Sequence, residues 1–116
     1  MFGFKKSLNG EQRYEIVAIA VIHFQAVREV DGNYVDVEGR KVPVVDFAMD
    51  QTIPALISSA ASGLGLKISD SERDVLVKTA INLLTNEPKA VAAIVQQGRA
   101  TYDRLIATAR ANRGAT

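Results

Sequence analysis

The stretch Asn9–Gly32, NGEQRYEIVAIAVIHFQAVREVDG, decides the fold. Asn9 and Gln12 have the spacing of a capping box, in which an N-cap side chain and the residue three positions on satisfy each other's backbone N–H groups. Gly10 between them can adjust the approach. From Glu11 to Val30 there is neither Pro nor Gly, and Asp31-Gly32 supplies a stop, so the spacing predicts one long helix. Tyr14, Val17, Val21 and Phe24 form one apolar line along it. Ile16, Ile19, Ala20, His23 and Val27 form a second. A helix with two such lines is covered on more than one side, and the rest of the chain has to provide the cover.

Downstream the pattern changes. Tyr34-Val35-Asp36-Val37, Glu38-Gly39 and Arg40-Lys41-Val42-Pro43-Val44-Val45 alternate, favour β-branched residues and centre on a glycine, which predicts a small hairpin near residues 33–45. Two strands alone are marginal, so the hairpin must rest on the helices or pair with something else. Pro43 lacks a backbone donor and suits an outer edge, and together with Lys41 it opposes free strand addition.

Helical signals then return. Asp46–Asp50 reads as a turn or helical lead-in, Thr52 as the cap of a helix with Pro54 in its first turn, and Leu56, Ile57, Ala60, Ala61 and Leu64 as its apolar face. Gly63 and Gly65 mark its end, and the small residues from Ser58 to Ser62 permit close packing. Ser69 and Glu72 repeat the capping-box spacing before an inner stripe of Val75, Leu76, Thr79, Ala80, Leu83 and Leu84. From Glu87 to about Ala111 only Gly98 interrupts an apolar face that includes Val91, Ile94, Val95, Tyr102, Leu105, Ile106 and Ala109. Read as one helix it is about 36 Å long, more than a domain of this size requires. The expected fold is mainly α: an irregular helical bundle with a small β-hairpin insertion between the first and second helices. It comprises an N-terminal arm (1–8), one domain (9–111) and a loose tail (112–116).

Composition bounds the function. At 116 residues with 47% apolar content the chain supports one core, and fourteen Lys and Arg against thirteen Asp and Glu leave a formal charge of +1, too little for a long-range field toward a polyanion. No cysteine is present, which excludes thiol chemistry. The apolar run Ile16–Phe24 is far below the roughly 20 residues a membrane span needs. Met1-Phe2-Gly3-Phe4-Lys5-Lys6 is not followed by a clean apolar run with a small-residue cleavage site, so no signal peptide is expected. The expected setting is cytoplasmic or otherwise intracellular.

No local constellation supplies catalysis. His23 is the only histidine and sits in an apolar helical run, where a packed or hydrogen-bonded core role outweighs acid–base work. An enzyme would need it beside an acid such as Asp46 or Asp50. The acids Asp31, Asp36, Glu38, Asp46 and Asp50 lack the spacing of a calcium loop, and one His without Cys disfavours zinc. Gly63-Leu64-Gly65-Leu66-Lys67 lacks the longer glycine pattern and the Lys-Ser/Thr pair of a phosphate loop. No cofactor or metal is expected.

What remains is association. The expected role is a non-enzymatic interaction or structural subunit acting through apolar helix faces, in a homo-oligomer or larger assembly. Val95, Tyr102, Leu105 and Ala109 are its candidate interface, joined by Phe2 and Phe4 of the arm. The alternative partner is nucleic acid, held at phosphates by Arg99, Arg110 and Arg113 of the net-positive last helix, although cations near a helix C-terminus also have a purely local reason.

Overall fold

A helix that is apolar on two flanks cannot sit on the surface of a layer, and the computed structural model, which describes residues 8–114, places it at the centre. The first helix, α1, spans Gly10–Asp31, and Ile16, Ala20, Val21 and Phe24 on it have no exposed surface at all. A reciprocal box caps its start: Asn9 Oδ1 accepts from Gln12 N at 2.8 Å, and Gln12 Oε1 accepts from Asn9 N at 3.1 Å. Gly32, at φ 64°, ends it by donating to the Arg28 carbonyl at 3.1 Å. The chain then forms β1 (Tyr34–Val37) and β2 (Arg40–Pro43), an antiparallel hairpin turned by Glu38 and Gly39, both at positive φ as a two-residue type I′ turn demands. A 3-10 turn over Val44–Ala48 leads into α2 (Met49–Gly63), followed by α3 (Asp70–Asn86), α4 (Pro88–Gln97) and α5 (Arg99–Gly114). Helices α2, α3, α4 and α5 all pack on α1. The fold is therefore the mainly α bundle with a small hairpin between its first two helices that the sequence predicts. No described helix is long and apolar enough to cross a membrane.

Four local expectations are corrected. The second helix begins at Met49 rather than after Thr52, because Met49 is itself a core residue. Met49, Ile53, Ile57, Ala60 and Ala61 form the buried stripe; Leu56 is only half-buried, and Leu64, expected on the inner face, is exposed. Pro54 consequently lies in the second turn rather than the first. On α3 the stripe is Leu76, Ala80 and Leu84, with Val77 and Ile81 partly covered. Val75 is exposed, and Thr79 turns its hydroxyl to the Val75 carbonyl at 2.9 Å. The third correction concerns Glu72. Ser69 caps α3 by accepting from Glu72 N at 3.2 Å, but the Glu72 carboxylate does not complete the box. It accepts instead from Leu8 N at 3.3 Å and lies 3.8 Å from Arg13, tying the start of α1 to the start of α3.

The fourth correction concerns the last helix. It is two helices, α4 and α5, broken at Gly98, and the second continues through positions 112–114, where a loose tail is expected from the sequence. The break sits where the chain passes close to α1: a Cβ added at Gly98 would stand 2.5 Å from Ile22 Cδ1, so a larger residue here obliges the Ile22 side chain to shift. The bend lets both halves pack on α1, and Arg113 Nη1 donates to the Val30 carbonyl at 2.6 Å near the far end. The apparent excess length of the helix is used inside the chain. The end of α2 is equally local. Gly65 (φ 72°) donates to Ser62 O and Leu66 donates to Ala61 O, a Schellman closure that explains the glycines before Lys67.

The Gly98 approach yields a prediction with a built-in control. Alanine gains up to about 1 kcal/mol of helix propensity over glycine, but pushing into the buried Ile22 costs about 1–3 kcal/mol. Gly98→Ala should therefore lower the urea unfolding free energy by about 1 kcal/mol. In an Ile22→Val background, which removes Cδ1, the same substitution should be neutral or stabilising.

Candidate functional site

Polar chemistry in the described residues gathers around Arg28, in the last turn of α1. Its Nε donates to Asp46 Oδ1 at 2.8 Å and its Nη2 to Asp46 Oδ2 at 2.9 Å, a bidentate fork. Nη2 also donates to the Leu84 carbonyl at 3.0 Å, and Nη1 to Gln25 Oε1 at 3.0 Å. The guanidinium carbon lies 5.2 Å from the Phe24 ring centroid. One side chain thus binds α1 to the 3-10 turn after the hairpin and to the C-terminal turn of α3. Only 14% of the arginine side chain and 18% of the aspartate are exposed, so solvent screens this pair weakly.

Two open depressions of about 400 and 410 Å³ flank this junction and share Gln25, Arg28, Glu29 and Leu84. One is roofed by Tyr34, Lys41 and Pro43 of the hairpin; the other runs along α4 to Arg99 and Tyr102. Tyr102 reaches toward Glu29 Oε1 at 3.5 Å, and its phenol is raised above its ordinary pKa by burial first and by the Glu29 charge second. A third, wider hollow of about 1040 Å³ lies between the starts of α1 and α3, beside Leu66 and Ile68.

No hydrogen bond among the described residues joins His23 to Asp46 or Asp50. Asp46 is committed to Arg28, and Asp50 is exposed in the first turn of α2. His23 is half-buried, and none of its ring nitrogens bonds to a described residue. The sequence predicts a packed or hydrogen-bonded core histidine; the structure makes it partly packed and without a protein hydrogen bond. Burial pushes its pKa below the ordinary value. No group of three or more His, Asp or Glu among the described residues is placed to hold a metal ion.

The candidate interface residues land mostly inside. Val95 and Tyr102 are buried, and Leu105 and Ala109 are half-buried on the same side, where α4 and α5 cover α1. Phe2 and Phe4 lie outside the described residues. Of the candidate phosphate contacts, Arg99 pairs with Asp103 at 3.2 Å and stands 5.5 Å from the Tyr102 ring. Arg113 donates to the Val30 carbonyl, and Arg110 is exposed.

Exposed apolar surface concentrates elsewhere. Tyr34 (53%), Val35 (41%), Val44 (41%) and Phe47 (66%) all fall between positions 34 and 47, on the hairpin and the turn that follows it, and Val27 in the last turn of α1 is exposed as well. The alternation that predicts the hairpin contains these residues but does not say which face the body covers. Phe47, the most exposed large apolar side chain among the described residues, has no periodic signal around it. Neither a protein-family description, nor a characterised protein, nor a solved structure matches this chain.

Two predictions arise from this geometry. Asp46→Asn keeps the shape of the fork but removes its charge, and should lower the unfolding free energy by roughly 1.5–3 kcal/mol, with faster amide exchange in the 3-10 turn and the last turn of α3. For His23, an unfolded imidazole takes up its proton near pH 6.5 whereas the folded one does so only at lower pH. In the interval between those values the unfolded chain holds more protons, so stability is full above about pH 6.5 and is lost as pH falls through the interval. Denaturation midpoints measured from pH 5 to 7.5 should show this slope in the native protein. His23→Gln should flatten it.

Proposed function

We propose that the protein is a non-enzymatic interaction module whose docking surface is the hairpin end, residues 34–47. The observation that carries this is the concentration of exposed Tyr34, Val35, Val44 and Phe47 on a projection too small to be stable alone. The Arg28 fork supports the reading, because it anchors the base of this projection to α1 and α3 and so holds its apolar side chains in fixed positions. A rigid apolar surface loses little entropy on binding, which favours recognition over a mobile loop of the same composition. The helix face from Val95 to Ala109 serves as internal cover in this reading. Nucleic-acid contact through α5 is the weaker alternative, since Arg99 and Arg113 already hold protein partners.

Chemical cross-linking in extract from the native source tests the placement. Phe47→Lys should cut the yield of cross-linked adducts about tenfold without moving the unfolding midpoint. Val75→Lys, at an equally exposed apolar site on α3, should change neither. Adducts as abundant with Phe47→Lys as with the native protein would overturn it.

A further inference from the structure

We propose that the outer edge of β1 pairs with the same edge of a second copy of this chain, closing a four-stranded antiparallel sheet across a two-fold axis. This rests on the hairpin end being the docking surface and names its occupant. The argument begins with the phase of the ladder. Val44 N donates to Asn33 O at 2.9 Å, and in an antiparallel pair the hydrogen-bonded positions alternate. With the register Tyr34↔Pro43, Val35↔Val42, Asp36↔Lys41 and Val37↔Arg40, the pairs of Val35 and Val37 are the bonded ones. Tyr34 and Asp36 therefore aim their N–H and C=O groups outward from β1, as Lys41 and Pro43 do from β2.

The two edges are unequal. On β2, Pro43 has no N–H to offer at an outward position and Lys41 brings a charge, so that edge is blocked. On β1 every outward donor and acceptor is present, and among the described residues no third strand pairs with that edge. An antiparallel approach centred on Val35 sets Tyr34 opposite the partner's Asp36, and Asp36 opposite the partner's Tyr34, each such pair exchanging two N–H···O bonds. Val35 then meets the partner's Val35, and since Val42 lies beside Val35 within each hairpin, one apolar row runs across all four strands. Moving the axis to Asp36 would oppose two carboxylates, and moving it to Tyr34 would leave Asp36 opposite Gly32 beyond the strand and lose the Val35 pair, so the Val35-centred register is the one that keeps both bonded pairs within β1. The blocked β2 edges end up outside, so assembly stops at two copies.

Light scattering on the purified full chain over a range of concentrations reads the outcome. The native protein should approach twice the 12.5 kDa of one chain. Val35→Lys and Val35→Glu, each placing like charges across the axis, should each remain at the single-chain mass. An equimolar mixture of the two should regain the doubled mass. Lys41→Pro, on the blocked edge, should pair as the native protein does. A native protein that stays at 12.5 kDa, or variants that pair singly as well as they do mixed, would overturn the pairing. If the mass then still fell with Phe47→Lys, or cross-linking to another protein still depended on Phe47, the hairpin end would stand as the docking surface and only its occupant would be wrong. A native protein at the single-chain mass together with cross-linking unchanged by Phe47→Lys would remove both.

Discussion

Everything in this structure answers to the burial of α1. Ile16, Ala20, Val21 and Phe24 are wholly buried and only Ala18, Ile19 and His23 keep partial exposure in its middle turns, so the helix must be roofed from several directions. Four helices supply the roof. The bend at Gly98 follows from the same demand, because a straight rod from residue 88 to 114 would leave α1 at a tangent, whereas two shorter helices follow it. Even the polar boundary of the core is set from α1: Arg28 lies one turn beyond Phe24, its guanidinium over the aromatic ring and forked on Asp46 of the 3-10 turn.

The charges that matter are few. Arg73–Asp70 and Arg99–Asp103 are close pairs on exposed helical surface, where mobility and salt leave them little net effect. Arg28 differs because its donors meet two carboxylate oxygens, a side-chain amide oxygen and a backbone carbonyl while mostly removed from water. Glu72 plays a smaller version of the same part at the opposite end of α1. Both side chains join segments far apart in the sequence, so the bundle is tied at each end of its central helix by a charged hydrogen bond and between those ends by apolar packing.

Which parts of this were legible in the sequence follows from the range of the interactions involved. Caps and stops are local, and Asn9-Gln12, Ser69, Gly32 and Gly65 read correctly because each concerns a few consecutive residues. The hairpin read correctly for the same reason. The break at Gly98 was not legible, since the close approach to Ile22 there is long-range and the periodicity of residues 91–109 continues smoothly through it. The same range limit applies to the candidate interface. Val95 and Tyr102 look like an unsatisfied face when the last helix is considered alone, and only the folded chain shows α1 lying beneath them. Conversely, Tyr34 and Phe47 carry no distinctive spacing, and their exposure depends on how the hairpin leans over the body. Glu72 and Arg28 were legible as charges near helix ends, but their partners at Leu8, Asp46 and Leu84 were not.

The central position of α1 also orders the history of the chain. It precedes the other described helices in the chain, yet its contacts with α5 join positions 73 to 83 residues apart, as in Tyr102 to Glu29 and Arg113 to Val30. Helices α2 and α3 can cover part of it early, at modest loop-closure cost. The flank that faces α5 stays bare until residues 99–114 have been synthesised. For that interval the described helix with the most buried residues is also the least protected, and loss of α5 would leave a chain prone to aggregate rather than a smaller working domain.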